Sequence, residues 1–475
     1  MNDYDIVIGL EVHCQLKTVS KIFCGCSTAF ENPANSNICP VCAGYPGVLP
    51  VFNERALSLG VRTSLALNCR INDKIYFERK NYFYPDLPKN YQISQFKQPL
   101  GEKGYIELLT GRKIGITRVH LEEDAGKSIH KENYSLVDLN RTGTPLMEIV
   151  SEPDMVSPQE AYEYLTALKM LLRYIGVSDC DMEKGSLRCD ANISLKKKGE
   201  IKLGTKVELK NMNSFKGVRD GLNFEARRQE KALNSAEKIF QETRLWDDAA
   251  GKTVVMRTKE EAHDYRYFPE PDLLDFSVPP ALIEAEKEKV GEMPIAKRAR
   301  FLSQYGLGEK EADTLISEPE FAGFFEAACR AFNDPKKVSG WFLGPLLEQV
   351  NLLPEKFTGV KITPENFALV VKYFSQGKLN NQQAKKVLAL AVATNDPADK
   401  IIDREGLVQV SNSGEILGLA QEAINENMKV VEEYKAGKQQ AIMFLVGQVM
   451  KKSKGKANPQ IARDLLEKII NGGNS

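Results

Sequence analysis

Four cysteines fall in two tight pairs, Cys24-x-Cys26 and Cys39-x-x-Cys42, with twelve residues between the pairs. Four thiolates so spaced suit the tetrahedral preference of Zn²⁺, with the intervening loop folding back to close the site. Water activation needs an open coordination position, and a four-cysteine site has none, so the expected zinc is structural; a redox pair or unliganded thiols are the alternative readings. The remaining cysteines, Cys14, Cys69, Cys180, Cys189 and Cys329, are scattered. An odd total of nine in a long chain argues against a disulfide framework.

A second group of residues could handle phosphate and metal chemistry. Glu11 and His13 lie two apart in an alternating stretch, so their side chains share one strand face. Glu122-Glu123-Asp124 follows the strand-like run Lys113 to Leu121, and Glu208 stands between Lys206 and Lys210. If these strands adjoin, the carboxylates form an oxygen-rich Mg²⁺ site with lysines at hand for phosphates. The ordinary alternative is a solvated polar face. Strand parity places Glu122, rather than Glu123, on the face shared by Arg118 and His120.

Arg79 to Gln95 concentrates aromatic and basic side chains around Pro85 and Pro88. Prolines make this a shaped loop, suited either to packing or to stacking on a base and contacting its phosphates. Gly126-Lys127-Ser128 resembles the end of a phosphate loop, but residue 121 is leucine where that motif needs glycine. Near the end, Lys438, Lys451, Lys452 and Lys454 flank the apolar run Ala441 to Met450. They form either a solvated face or a grip on a nucleic-acid backbone.

Elements must position these groups. Ile8, Leu10, Val12, Cys14 and Leu16 alternate with Gly9, Glu11, His13 and Gln15, the period of a half-buried strand. Leu187 to Leu195 repeats the pattern, and Val207 and Leu209 do so more briefly. Ser157, Pro158 and Glu160 open a helix, and Gly176 ends it. Further helices are expected near Asn53 to Asn68 and Phe215 to Leu233. Strands do not alternate strictly with helices, which predicts an α+β fold whose sheet is largely antiparallel. Prolines between Pro269 and Pro294 punctuate the chain, and beyond them the pattern is helical. Three domains are expected: residues 1–292 carrying the sheet and zinc loop, 293–405 helical, and 406–475 a small helical tail.

At 475 residues, with 42% hydrophobic and 27% charged side chains, the chain reads as soluble and globular. Lysine plus arginine and aspartate plus glutamate balance at 64 each, so any nucleic-acid grip must be local. The first residues lack a secretory signal, and no run is long and apolar enough to span a membrane, which predicts a cytoplasmic location.

Several long motifs together resemble one family. They are Ile8-Gly-Leu-Glu-Val-His13, Arg79-Lys-Asn-Tyr-Phe-Tyr-Pro-Asp86, Tyr91-Gln-Ile-Ser-Gln95 and His120-Leu-Glu-Glu-Asp-Ala-Gly-Lys127. Gly185 to Asn192, Glu208 to Phe215, Asp264 to Asp272 and Phe444 to Gln448 extend the match over essentially the full length. The chain resembles the B subunits of aspartyl/glutamyl-tRNA amidotransferases. No inserted synthetase-like domain is present, unlike the archaeal E-type relatives.

The resemblance implies an N-terminal cradle domain, a helical domain and a tRNA-binding tail. It implies a heterotrimer with an amidase A subunit and a small C subunit, acting as a carbon–nitrogen ligase with glutamine as amido donor. ATP would phosphorylate the side-chain carboxylate of Glu on tRNA(Gln) or Asp on tRNA(Asn), and ammonia from the A subunit would then form the amide. By motif, Glu11, His13, Glu123 and Glu208 become the expected catalytic Mg²⁺ ligands. Lys80, Tyr82, Lys89 and Gln92 become candidates for the nucleotide or the ammonia passage. The cysteine quartet matches the zinc-bearing members. Two other readings use the same residues: a non-catalytic tRNA scaffold, and a stand-alone ligase for a small carboxylate.

Overall fold

The computed structural model describes residues 3–258, 265–407, 413–453 and 457–472. Residues 1–297 and 298–475 form two compact units. The division falls within the helix Pro294–Gln304, whose first turn is tied back by an ion pair between Lys297 and Glu292.

Strands of the first unit are, in chain order, β1 (Tyr4–Gln15), β2 (Arg70–Ile71), β3 (Lys74–Ile75), β4 (Glu78–Asn81), β5 (Tyr91–Ser94), β6 (Gly101–Glu107), β7 (Lys113–Glu123) and β8 (Lys127–His130). They continue with β9 (Ser135–Asp138), β10 (Pro145–Ser151), β11 (Leu187–Lys197), β12 (Val207–Lys210), β13 (Glu242–Asp247), β14 (Lys252–Thr258), β15 (Phe268–Pro269) and β16 (Phe276–Ser277). Nine of them make one sheet in the order β14-β13-β12-β11-β1-β10-β7-β6-β2. Every neighbouring pair is antiparallel except β12 and β13. The expected α+β fold with a largely antiparallel sheet is what the chain adopts.

Two-residue periodicity gives the sheet two unlike faces. Leu10, Val12 and Cys14 of β1 are buried alongside Cys189, Ala191 and Ile193 of β11 and Met147 and Ile149 of β10. Helices α1 (Glu54–Ala66), α2 (Pro158–Tyr174) and α3 (Phe215–Asn234) contribute to this core. Each starts where a polar side chain satisfies free backbone N–H groups. Asn53 Oδ1 accepts from Arg55 N at 2.9 Å, Ser157 Oγ from Glu160 N at 3.1 Å, and Ser214 Oγ from Gly217 N at 3.0 Å. The Glu160 carboxylate reaches back to Val156 N, one residue before the cap, at 2.8 Å. Gly176, at φ +68°, follows α2 in the left-handed conformation that glycine favours. Helix α4 (Pro280–Glu288) brings Glu286 to Arg62 of α1, with Oε2 2.7 Å from Nε.

The second unit is helical. Its tail has an apolar core of its own, built from residues such as Ile416, Leu445, Val449 and Leu466. No helix among the described residues is long and apolar enough to cross a membrane.

Candidate functional site

The opposite face of the sheet gathers the charged side chains. His13 on β1 pairs with Arg188 on one side and with Glu148 of β10 on the other. Glu148 in turn pairs with His120 of β7. Residues directly opposite on antiparallel strands point to one face, so Arg188, His13, Glu148 and His120 form a row across four strands. The neighbouring rows add Asp190, Glu11 and Arg118 on one side and Gln15 and Glu122 on the other.

Ligand atoms of His13, Glu122 and Glu148 lie within 4.8 Å of one another. His13 Nε2 is 3.4 Å from Glu148 Oε2 and 3.8 Å from Glu122 Oε1. His120 Nε2 is 3.3 Å from Glu148 Oε2 and 3.6 Å from Glu122 Oε2. Ser94 Oγ on β5 donates to Glu122 Oε2 at 3.0 Å. Burial works against charge on both imidazoles, but the two glutamates outweigh it. The His13 pKa is raised, and that of His120 rises to about 9. Burial likewise opposes ionisation of the glutamates, and the imidazoles outweigh it at both, with Lys80 adding to the effect at Glu122; both carboxyls lie below their usual range. Lys80 is held above its usual value despite burial by Glu122, Tyr267 and Glu148. Two carboxylates and an imidazole converging this closely fit a divalent cation, with hard oxygen donors in the majority.

The expected ligands are only partly brought together. Glu11 shares the face, and its Oε1 accepts from Asn192 Nδ2 at 2.9 Å. Glu208 lies farther along the sheet, with Oε2 accepting from Thr243 Oγ1 at 2.7 Å and Oε1 3.4 Å from Lys210 Nζ. Glu123 turns away, as strand parity requires. Its Oε1 accepts from Ile93 N at 2.9 Å and is ion-paired with Lys89. In this geometry Glu122 stands where Glu123 was expected.

The nucleotide candidates separate in the same way. Lys80 extends toward Glu122, with Tyr82 among the tyrosines around it. Lys89 and Gln92 surround Glu123, Gln92 Nε2 donating to the Glu123 carbonyl at 2.7 Å. Gly126-Lys127-Ser128 runs into strand β8 rather than a helix N-terminus. A side chain at Gly126 would meet Asp138 O at 2.8 Å, so this glycine serves close backbone packing.

Glu148 was not among the sequence candidates. Its signal is a single carboxylate inside the otherwise apolar run Pro145 to Val150. Also missed was a recess of about 270 Å³ beside Glu11, walled by Val7, Val150 and Leu203 and edged by Asn192 and Lys206. Apolar walls with a few polar groups at the edge suit a nucleobase and its sugar.

The four cysteines do come together. Their sulfurs lie within 4.8 Å of one another, and none of the four is in a disulfide. Cys39 N donates to Cys42 Sγ at 3.3 Å, and the fully buried Lys21 donates to the same sulfur at 3.4 Å. The Cys24 thiol, the Cys39 N–H and Lys21 together bring the Cys42 pKa down to about 4 against the opposing effect of burial. A converging thiolate-bearing quartet fits Zn²⁺.

In the tail, Lys438 and Lys451 are exposed. Lys452 lies 3.2 Å from Glu422 and 2.7 Å from Glu426. Lys454 lies outside the described residues.

The profile of the "GatB/GatE catalytic domain" matches residues 6–284, and that of the "GatB domain" matches residues 323–470. A Brevibacillus brevis protein is 47% identical over 476 residues, covering 99% of this chain and 100% of the relative. Proteins of Thermoanaerobacter sp. and Staphylococcus carnosus are each 49% identical, covering 98% of this chain and 99% of theirs. All three relatives are named as the B subunit of an aspartyl/glutamyl-tRNA(Asn/Gln) amidotransferase. With that identity over nearly the whole length, the chain belongs to the family of aspartyl/glutamyl-tRNA(Asn/Gln) amidotransferase B subunits.

Proposed function

We propose that this chain activates the side-chain carboxylate of Glu on tRNA(Gln), or of Asp on tRNA(Asn), by ATP-dependent phosphorylation, and that the activated carboxyl is then amidated on the same sheet face. The observation that carries the reading is the convergence of His13, Glu122 and Glu148 beside Lys80, next to a recess at Glu11 that suits a nucleobase and its sugar. A carboxylate does not yield an amide with ammonia directly, because oxide is too poor a leaving group. Attack of a carboxylate oxygen on the γ-phosphorus forms a P–O bond as the bond to the β-phosphate oxygen breaks, releasing ADP. Ammonia then attacks the acyl carbon, the C–O bond to phosphate breaks, and the nitrogen sheds a proton.

The residues have distinct tasks in this scheme. His13, Glu122 and Glu148 would hold Mg²⁺, with Glu11 two residues from His13 on the same strand face. The cation would neutralise charge developing on the transferred phosphoryl group. Lys80 supplies a fixed positive charge at the same place. Ser94 and His120 hold the two glutamates in orientation. The apolar side chains of Val7, Val150 and Leu203 would position the adenine. Partners in this reading are an amidase that releases ammonia from glutamine and a small third protein, with the tail lysines meeting the tRNA.

The test follows ATP-dependent conversion of Glu-tRNA to Gln-tRNA by the co-purified complex. Wild type is expected to release ADP only when charged tRNA is present, and Glu148→Gln is expected to bind tRNA without turnover. Full turnover by Glu148→Gln would sink the assignment of the cluster.

A further inference from the structure

A second recess, of about 220 Å³, opens where β1 ends, on the opposite side of the charged row from the recess at Glu11. Its lining includes Gln15, Lys17, Phe30, Asp179, Lys184 and Ser186. Phe30 is 70% exposed, which leaves its ring open at the recess. Lys17 and Lys184 are also exposed. The recess thus combines an open aromatic face, two cations and hydroxyl groups, the combination that stacks a base and contacts its phosphate.

Its position along β1 adds a second, independent argument. Gln15 is two residues beyond His13 on the same face, and its Nε2 donates to Asp124 Oδ2 at 2.8 Å. Asp124 also accepts from Arg188 at 2.8 Å, so Gln15 is fixed in place beside the charged row. Two strand residues span about 6.6 Å. The carbon chain of a glutamyl ester places its carboxylate about 5 Å from its ester carbon. A carboxylate at His13, Glu122 and Glu148 whose chain runs along β1 away from the recess at Glu11 reaches Gln15 with its ester, which puts the esterified ribose at the mouth of this recess.

We infer that the recess formed by Gln15, Phe30 and Lys184 binds the terminal adenosine of the charged tRNA, with Phe30 stacking on the base. The inference rests on the proposed carboxylate activation and adds the subsite that presents the substrate to it. One consequence concerns the cysteine loop. Phe30 lies four residues past Cys26, and Thr28, between them, also lines the recess. The quartet then fixes one wall of a substrate site.

The test uses the co-purified complex and two uncharged tRNAs, one intact and one lacking only its terminal adenosine. Wild type is expected to bind the shortened tRNA about tenfold more weakly, the scale of one lost base stack. In Phe30→Ala and in Lys184→Ala that ratio is expected to fall toward one, while MgADP binds as in wild type. An undiminished ratio in both variants overturns the inference, as does a wild type that shows no preference for intact tRNA. Loss of partner proteins from the Phe30→Ala complex with the ratio intact would make Phe30 a protein-docking residue, which also overturns it. Amide synthesis in the same preparation separates the two levels: amide formed with an undiminished ratio removes the recess alone, and no amide in wild type removes both.

Discussion

His13 and Glu148 face each other across β1 and β10, with Nε2 of the imidazole 3.4 Å from Oε2 of the carboxylate. Glu148 also bonds His120 from the other side, so one carboxylate links two imidazoles across three strands. Removing its charge while keeping its shape is the sharpest probe of the row. Glu148→Gln and Glu122→Gln are each expected to lower kcat by about 100-fold, the upper scale for disturbing a metal site and its support. Isothermal titration with Mn²⁺ would show weakened cation binding in both.

Glu123→Gln should behave differently, because Glu123 points the other way. Its loss leaves the largely covered Lys89 without its anionic partner, at a cost of about 1–3 kcal/mol. The expected result is a lowered urea midpoint for the N-terminal unit with Mn²⁺ affinity unchanged. A variant that keeps its stability and loses cation binding would return Glu123 to the ligand set.

That contrast shows where sequence reading stops. Alternation in β1 and the Ser157 cap were legible because each is encoded within a few neighbouring residues. Parity alone already placed Glu122 with His120, whereas motif likeness pointed to Glu123. Which strands adjoin was not legible. The row joins His13 to Glu148 and Arg188, far apart along the chain, through a register that depends on packing over the whole sheet. The cysteine quartet was the easier case, since its spacing carries its own geometry.

Lys21 bears on that quartet. It is fully buried, and its Nζ donates to Cys42 Sγ and to the carbonyls of Asn37, at 2.7 Å, and Leu139, at 3.4 Å. A four-thiolate zinc centre carries net negative charge, which this ammonium offsets. Lys21→Met is expected to release zinc to a chromogenic chelator at a roughly 10- to 100-fold lower chelator concentration. Unchanged zinc retention would show that Lys21 only packs the loop.

Acid should act on the contact between α1 and α4. Glu286 accepts from Arg62 and Lys289, which hold its carboxyl below the usual 4.5 against the effect of burial. The unfolded chain therefore takes up a proton at a pH where the folded chain does not. The stabilisation is complete above pH 4.5 and is lost as pH falls through the lower folded value. At neutral pH Glu286→Gln should cost about 3 kcal/mol, since Arg62 is left buried. The difference from wild type should shrink below pH 4.5 in urea unfolding followed against pH.

The tail lysines are not equivalent. Lys452 lies against Glu422 and Glu426, so much of its charge is already compensated before any tRNA arrives. Lys451 is exposed, and Lys438 has one exposed partner, Glu433, at 3.4 Å. A lysine that contacts a phosphate contributes about one unit to the slope of log affinity against log salt. Lys438→Ala and Lys451→Ala should each flatten that slope by about one and weaken tRNA binding at low salt. Lys452→Ala should change the slope less, because it frees two glutamates as it removes one cation. Fluorescence anisotropy with labelled tRNA between low and moderate salt measures all three. Equal slopes in the three variants would place the tRNA contact elsewhere in the chain.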